Sequence, residues 1–417
     1  MIQMNLRYIT YKYGKCIAKT VLSEHIYDQV KQSYYNFLNK NKTYQKKYSR
    51  YKSGINLFIH NTQNSGGVVG SLLQEALNIA QIPFRVIDLG NPERFNVRSN
   101  DDDLYNINLI VLHAASNTKY RLPLFNLNYK QHYNIGYWAW ELSDVPDEFY
   151  NGLGLFNEFW AVSSFCANGL SKKVKVPVLT VPHYSSLMNE NILSDWKRYF
   201  HINEGVFYFT FIFDCMSFTE RKNPDAVVEA FIKVYSMFEK VGLILKYIYP
   251  ESAKDYIDKI KSKLKGYENV FYFENFMTSQ ELRTLISISG AFISLHRAEG
   301  FGLLPLEAMG LGTPVIATEW SGNMEYMNHK NTALVGCRLV PVEGRYVGST
   351  PGDGQVWAEP DVEEAVAYMS RMITDAEWRN SLISHGLETA RFFTVERTGQ
   401  LMRERLEFLG LLNGISQ

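Results

Sequence analysis

From residue 54 onward, short apolar runs rich in β-branched residues alternate with stretches whose apolar positions recur at helical spacing. That alternation predicts parallel α/β sheets. In the first half the strand candidates are Ile55 to His60, Phe84 to Leu89, Asn108 to Ala114, Tyr133 to Trp140, Glu158 to Ser163 and Val176 to Pro182. A polar, poorly patterned stretch from Tyr184 to about Glu204 breaks the rhythm, and Val206 to Asp214 restarts it. Further strands are expected at Leu243 to Ile248, Asn269 to Glu274, Ala291 to His296 and Thr313 to Thr318. Asn223 and Pro224 form a cap and first-turn pair ahead of Val227, Val228, Phe231, Val234 and Phe238 at helical spacing. A last helix, about Val395 to Leu411, carries Leu401, Met402, Leu406 and Leu409 on one stripe.

The pattern therefore reads as two doubly wound Rossmann-like α/β domains in series, residues 53–196 and 205–390, followed by a terminal segment 391–417. Two such sheets leave a cleft between them, and ligands bind outside the carboxyl ends of the strands. The loops that follow strands are where chemistry is expected.

Composition narrows the field. Of the 417 residues, 46% are hydrophobic and 21% charged, and 43 basic side chains balance 43 acidic ones. A protein with no net field has no global attraction to nucleic acid or to an acidic membrane. The charge is unevenly placed, however. Residues 1–52 hold eleven basic and two acidic residues, a net +9 that leaves −9 for the remainder. Ten aromatic residues from Tyr8 to Tyr51 are interleaved with them, a mixture suited to an anionic membrane surface. The competing expectation is an arm packed on the acidic remainder or on a second subunit of a homo-oligomer. Cys16, Cys166, Cys215 and Cys337 lie far apart, without the spacing of a zinc site or a disulfide framework. No run approaches ~18 apolar residues, and Lys12, Lys15 and Lys19 interrupt any signal-peptide core. A cytoplasmic protein is expected, peripheral on the inner face of the membrane if the basic arm binds there.

Two strand-exit loops carry glycines. The first, Asn61 to Gly70, places Gly66, Gly67 and Gly70 at the start of a helix, with Asp88 about twenty residues on. It approximates a dinucleotide fingerprint but has Ser65 where the first glycine belongs. It reads either as backbone brought close to a phosphate or sugar, or as a turn needed only for tight packing. The second loop begins after the strand ending at His296: Arg297-Ala298-Glu299-Gly300-Phe301-Gly302-Leu303-Leu304-Pro305-Leu306-Glu307, then Ala308 to Gly312 and Thr313-Pro314-Val315-Ile316-Ala317-Thr318. Two glutamates separated by seven residues, with Gly-Phe-Gly between them and Thr-Pro-Val-Ile-Ala-Thr after, resemble the signature of retaining GT-B glycosyltransferases of family 4, the bacterial polysaccharide-type group 1 enzymes. With the order of elements around it, the resemblance covers roughly residues 53 to 410.

The spacing has its own physical logic. Glu299 leaves a strand, whereas Glu307 lies in a helix expected to begin near Leu304 with Pro305 in its first turn. Eight residues at ~1.5 Å each span ~12 Å, comparable to a sugar, diphosphate and ribose laid end to end. Gly300 and Gly302 let the backbone approach a ligand, and the helix start offers unpaired amides. By resemblance, Glu299 contacts the hexose of a UDP- or GDP-linked donor and Glu307 accepts from the ribose, while Gly300, Phe301, Gly302 and Leu303 form the donor-binding turn. The implied activity is transfer of a hexosyl unit with retention to a hydroxyl of a glycan or lipid-linked glycan. No cofactor and no metal are called for.

Leaving-group charge calls for cations, and Arg221 and Lys222 stand directly ahead of the Asn223-Pro224 helix start. In the family an arginine commonly precedes this lysine by five residues; here that position is Ser217, so Arg221 either takes over its role or faces solvent. From the first domain, His113 at a strand end is the candidate for a catalytic, sugar-contacting group, with His60 a weaker one. Tyr137, Trp138, Trp140 and Glu141 bring aromatics and an acid to another strand end, and Ser321-Gly322-Asn323 follows a strand beside the donor turn. Asp101-Asp102-Asp103 imitates a metal-binding Asp-x-Asp but follows no strand, and reads as a solvated turn. Two other functions fit parts of the chain: an NAD-linked oxidoreductase, which leaves the glutamate pair idle, and a noncatalytic sugar-binding protein.

Overall fold

The computed structural model describes residues 48, 51–59, 65–89, 104–113, 129–146, 153–186, 191–342, 346 and 354–412. Most of the basic arm, His60 and Asp101 to Asp103 lie outside the described residues.

Six parallel strands build the first sheet: β1 (Lys52–Ile59), β2 (Phe84–Asp88), β3 (Tyr105–His113), β4 (Tyr133–Ala139), β5 (Glu158–Ala161) and β6 (Val178–Thr180). Their order is β2-β1-β3-β4-β5-β6. The first strand starts at Lys52, ahead of the apolar run at Ile55, because Lys52 pairs with Tyr105 across a register shift. Helices α1 (Ser65–Ile79) and α2 (Ser164–Ser171) follow β1 and β5. Inside the sheet a buried asparagine ladder fixes the pairing of three strands. Asn56 Nδ2 donates to Asn108 Oδ1 at 2.9 Å, and Asn108 Nδ2 donates to Asn134 Oδ1 at 2.9 Å. A slip of one residue would leave these amides unpaired in the core.

The second sheet is again six parallel strands: β7 (Phe207–Asp214), β8 (Val241–Ile248), β9 (Val270–Phe273), β10 (Ala291–Ser294), β11 (Val315–Thr318) and β12 (Ala333–Val335). Its order, β12-β11-β10-β7-β8-β9, is the doubly wound order with the switch point between β7 and β10. Helices α3 (Thr219–Lys222) and α4 (Pro224–Tyr235) follow β7, with Asn223 as N-cap accepting from the Ala226 amide and Pro224 in the first turn. Helices α5 (Lys254–Lys263), α6 (Ser279–Ser287) and α7 (Leu303–Gly310) follow β8, β9 and β10.

Beyond β12, an antiparallel pair, β13 (Cys337–Pro341) with β14 (Val356–Pro360), forms a separate ribbon, which includes the Trp357 segment. Helices α8 (Val362–Thr374) and α9 (Ala376–Ala390) complete the second half, and α10 (Val395–Phe408) returns to the first. Arg403 on α10 donates to the carbonyls of Ala80 and Gln81 just past α1, at 2.6 and 2.7 Å. Arg405 pairs with the fully buried Glu158 at 2.6 Å. Among the described residues no helix is long and apolar enough to cross a membrane.

Candidate functional site

The switch point of the second sheet collects the charged residues of both its strand-exit loops. At the end of β7, Asp214 accepts from the Met216 amide, turning the chain into α3. The Arg297 amide, leaving β10, donates to the Arg221 carbonyl at 2.8 Å and stitches the two loops together. Arg221 then donates through Nη1 to the Ala298 carbonyl at 2.7 Å and pairs with Glu299 at 3.2 Å. Lys222 Nζ pairs with the other carboxylate oxygen of Glu299. Arg221 is 4% exposed, so of the two expectations for it the solvent-facing one does not hold. The Lys222 side chain is 19% exposed against 5% for Arg221, which makes the lysine the more accessible cation.

The first domain closes this cluster. Glu141, just after β4, lies 3.8 Å from the Arg221 guanidinium and accepts from the Tyr346 hydroxyl at 2.8 Å. Two cations thus face two carboxylates. Burial alone would raise the pKa of Glu299, but Lys222 and Arg221 outweigh it and hold the carboxyl at about 2. Burial pulls the Lys222 ammonium down, with Glu299 opposing. Glu299 is therefore ionised at any physiological pH.

Backbone contacts fix the glycine turn. Gly302 adopts φ 81° and ψ 61° ahead of α7, where a side chain would be strained, and its carbonyl accepts from Tyr326. The Gly300 carbonyl accepts from Ser163 Oγ at 2.6 Å and from Cys166 Sγ at 3.2 Å, which anchors the turn to the first domain. Burial raises the Cys166 thiol to about 12, so it is a packing and hydrogen-bonding group rather than a nucleophile. Phe301 is 3% exposed, its ring against His183, Tyr326 and Phe393. Its ring thus belongs to the interdomain core, leaving its backbone for any ligand. Leu303 opens α7.

Glu307, on α7, is 2% exposed and meets protein hydroxyls. Oε2 accepts from Ser185 Oγ at 2.6 Å, and Oε1 accepts from the Ser186 amide at 2.8 Å and Ser186 Oγ at 2.9 Å. These serines belong to the connection between the domains, which sequence reading treated only as a break in the pattern.

The first-domain candidates sit at the switch point of their own sheet, between β1 and β3. His113 ends β3, beside Ala139 on β4, with its backbone alone described. Gly66 and Gly67 fall in the first turn of α1. Gly70 packs so closely on β1 that a Cβ there would lie 2.9 Å from Ile59 Cδ1, which gives this glycine a packing reason. Trp138 and Trp140 are buried. Among the described residues no group of three or more His, Cys, Asp or Glu is arranged to hold a metal ion.

Three features escaped the sequence reading. His296 is fully buried, with Nε2 3.1 Å from Asn323 Oδ1 and 3.2 Å from the Trp320 carbonyl. Tyr346 packs on Trp140, Phe218 and Trp357 while bonding Glu141. Lys246 is a buried lysine within β8, its pKa lowered to about 8 by desolvation. Only the lysine left a signal, a lone cation inside Leu243 to Ile248.

His183, in the interdomain connection, lies 3.2 Å from the Tyr137 hydroxyl, and burial lowers its pKa to about 4. Between pH 4 and the unfolded value of 6.5 the unfolded chain binds the extra proton, so stability falls as pH drops through that window. At pH 5 the loss is about 2 kcal/mol. Thermal melts at pH 7 and pH 5 should show a drop for the wild type that is visibly smaller for His183→Gln; equal drops would refute the assignment.

Residues 209–388 match the family model described as glycosyl transferases group 1. Glycosyltransferase 1 domain-containing protein 1 of Xenopus tropicalis is 24% identical over 188 residues, 45% of this chain and 46% of that protein. The chain thus spans less than half the length of this curated relative. Among solved structures, sucrose-phosphate synthase from Thermosynechococcus elongatus aligns with a TM-score of 0.65 at 14% identity, covering 86% of this chain and 99% of that one. Anabaena HepE, solved in complex with UDP and glucose, aligns with a TM-score of 0.61 at 15% identity, covering 85% and 99%. Together with the two facing parallel sheets, these findings make the fold GT-B, with residues 209–388 the part that matches the glycosyl transferases group 1 model.

Proposed function

We propose that this chain transfers a hexosyl unit from a nucleoside diphosphate sugar to a hydroxyl of a glycan or lipid-linked glycan, with retained configuration. The observation that carries this reading is the Arg221, Lys222 and Glu299 cluster at the second sheet's switch point, beside the start of the helix bearing Glu307. The group 1 match and the UDP and glucose bound by HepE support a nucleotide-sugar donor, UDP- or GDP-linked. The donor diphosphate draws the Lys222 ammonium from Glu299, and the freed carboxylate accepts from a sugar hydroxyl. Ribose hydroxyls take the places at Glu307 that Ser185 and Ser186 occupy. In the chemical step the bond from the anomeric carbon to the phosphate oxygen breaks and the bond to the acceptor oxygen forms on the same face. The departing phosphate oxygen takes the acceptor proton, while Lys222 and the α7 amides stabilise the charge that develops.

Mass spectrometry of the purified chain with UDP-glucose, UDP-N-acetylglucosamine, UDP-galactose and GDP-mannose tests the reading. Nucleoside diphosphate release from at least one is expected. Binding of NAD by calorimetry, with none of these sugars bound or cleaved, would instead favour the oxidoreductase. Because protein cations supply the counter-charge, EDTA should leave activity within about twofold of the untreated rate. Loss on chelation that Mn²⁺ restores would refute metal independence and direct attention to Asp101 to Asp103.

A further inference from the structure

Ser321 has a backbone that an L-residue rarely adopts. It lies between β11 and Gly322 with φ 79° and ψ −145°, a region open essentially only to glycine. The conformation brings the Ser321 hydroxyl oxygen to the Glu299 amide, which donates to it at 2.8 Å. The next amide, Gly322 N, donates to the Glu299 carbonyl, also at 2.8 Å. The peptide groups on both sides of Glu299 are thereby fixed by one short turn. The approach is close: a Cβ on Gly322 would stand 2.0 Å from the Gly300 carbonyl oxygen. Behind it, Ser321 Oγ is 3.5 Å from Asn323 Oδ1, Asn323 Nδ2 donates to the Thr318 carbonyl at 2.9 Å, and His296 bonds the same asparagine. Ser321 is 4% exposed, so solvent does not supply the Glu299 amide with a ready substitute acceptor.

A glycine would fill this backbone conformation without strain, yet it has no oxygen to offer. We propose that Ser321 is a positioning residue: the chain accepts backbone strain here to hold Glu299 against the donor sugar. The proposal rests on the donor-facing role given to Glu299 above.

A positioning role and a merely structural one predict different results for the pair Ser321→Gly and Ser321→Ala. Both Ser321→Gly and Ser321→Ala leave the buried Glu299 amide without its acceptor, but only the glycine relieves the strain, so Ser321→Gly should melt about 2–4 °C above Ser321→Ala. At the same time kcat for the nucleotide sugar that the wild type turns over should fall ~10-fold, with donor KM within about twofold. Ser321→Ala, which keeps the strain but loses the oxygen, should show the same fall in kcat and the lower melting temperature of the two variants. Hydrogen exchange of a peptide spanning residues 297–303 supplies a readout that needs no turnover: exchange should be faster than in the wild type in both variants. Wild-type kcat in either variant would overturn the proposal, as would unchanged exchange in this peptide, or a Ser321→Gly that melts no higher than Ser321→Ala. A wild type inactive on every nucleotide sugar would sink the glycosyltransferase reading and leave the exchange experiment to decide whether Ser321 holds the Glu299 loop.

Discussion

Glu299→Ala is expected to lower turnover at least ~100-fold with donor and acceptor saturating, about 2.7 kcal/mol of transition-state stabilisation. The carboxylate is ionised, only 12% exposed and placed between two cations, so its removal takes away the group proposed to face the sugar and leaves Arg221 and Lys222 without their shared partner. Glu299→Gln keeps the volume and loses the charge, separating the two consequences. Similar losses in both variants assign the effect to charge; retention of near-normal turnover in the alanine variant removes Glu299 from the catalytic step. Glu307→Ala provides the contrast within the same assay: its main effect should be weaker nucleotide binding, seen in KM and in calorimetry with UDP and GDP.

Arg405→Ala should cost the fold about 3–5 kcal/mol. Its guanidinium reaches Glu158 on β5, which has no exposed surface and whose other contacts are the Tyr133 hydroxyl at 3.1 Å and the Trp160 indole at 2.8 Å. Taking the arginine away strands a carboxylate in the core, whereas removing both charges should be milder. Urea unfolding of Arg405→Ala and of the double variant Glu158→Gln with Arg405→Leu checks this. A single-variant loss below about 1 kcal/mol would mean that water reaches Glu158 and that α10 is docked mainly by its apolar stripe.

Much of the architecture was legible because it rests on local chemistry. Parallel strands buried on both faces read as near-continuous apolar runs, so β7 and β10 announce themselves in sequence. Asn223 and Pro224 mark a helix start because capping needs a short acceptor side chain and a residue with fixed φ. Short strands were harder to see. Three residues of β12 carry too little pattern, and the β13 and β14 ribbon pairs residues far apart in the chain, with its register set by cross-strand hydrogen bonds.

The glycine-bounded Glu299 and Glu307 spacing was readable because both residues leave one strand and enter one helix, a distance fixed by local geometry. The contacts that the site makes with residues of other loops were not. Glu141, Ser163, Ser185, Ser186 and Tyr346 reach the site from other loops, brought together by the facing of two domains, and no local propensity encodes that meeting. Arg221 shows the division most clearly. The sequence alone placed a cation beside a helix start and left its direction open between ligand and solvent; the packing of β10 against β7 buried it against Ala298 and Glu299. Sequence by itself therefore determined the two sheets and the linear order of the site's charges. Tertiary structure decided which charges neutralise one another, because pairing at 3 to 4 Å depends on loops that only the folded sheets bring into register.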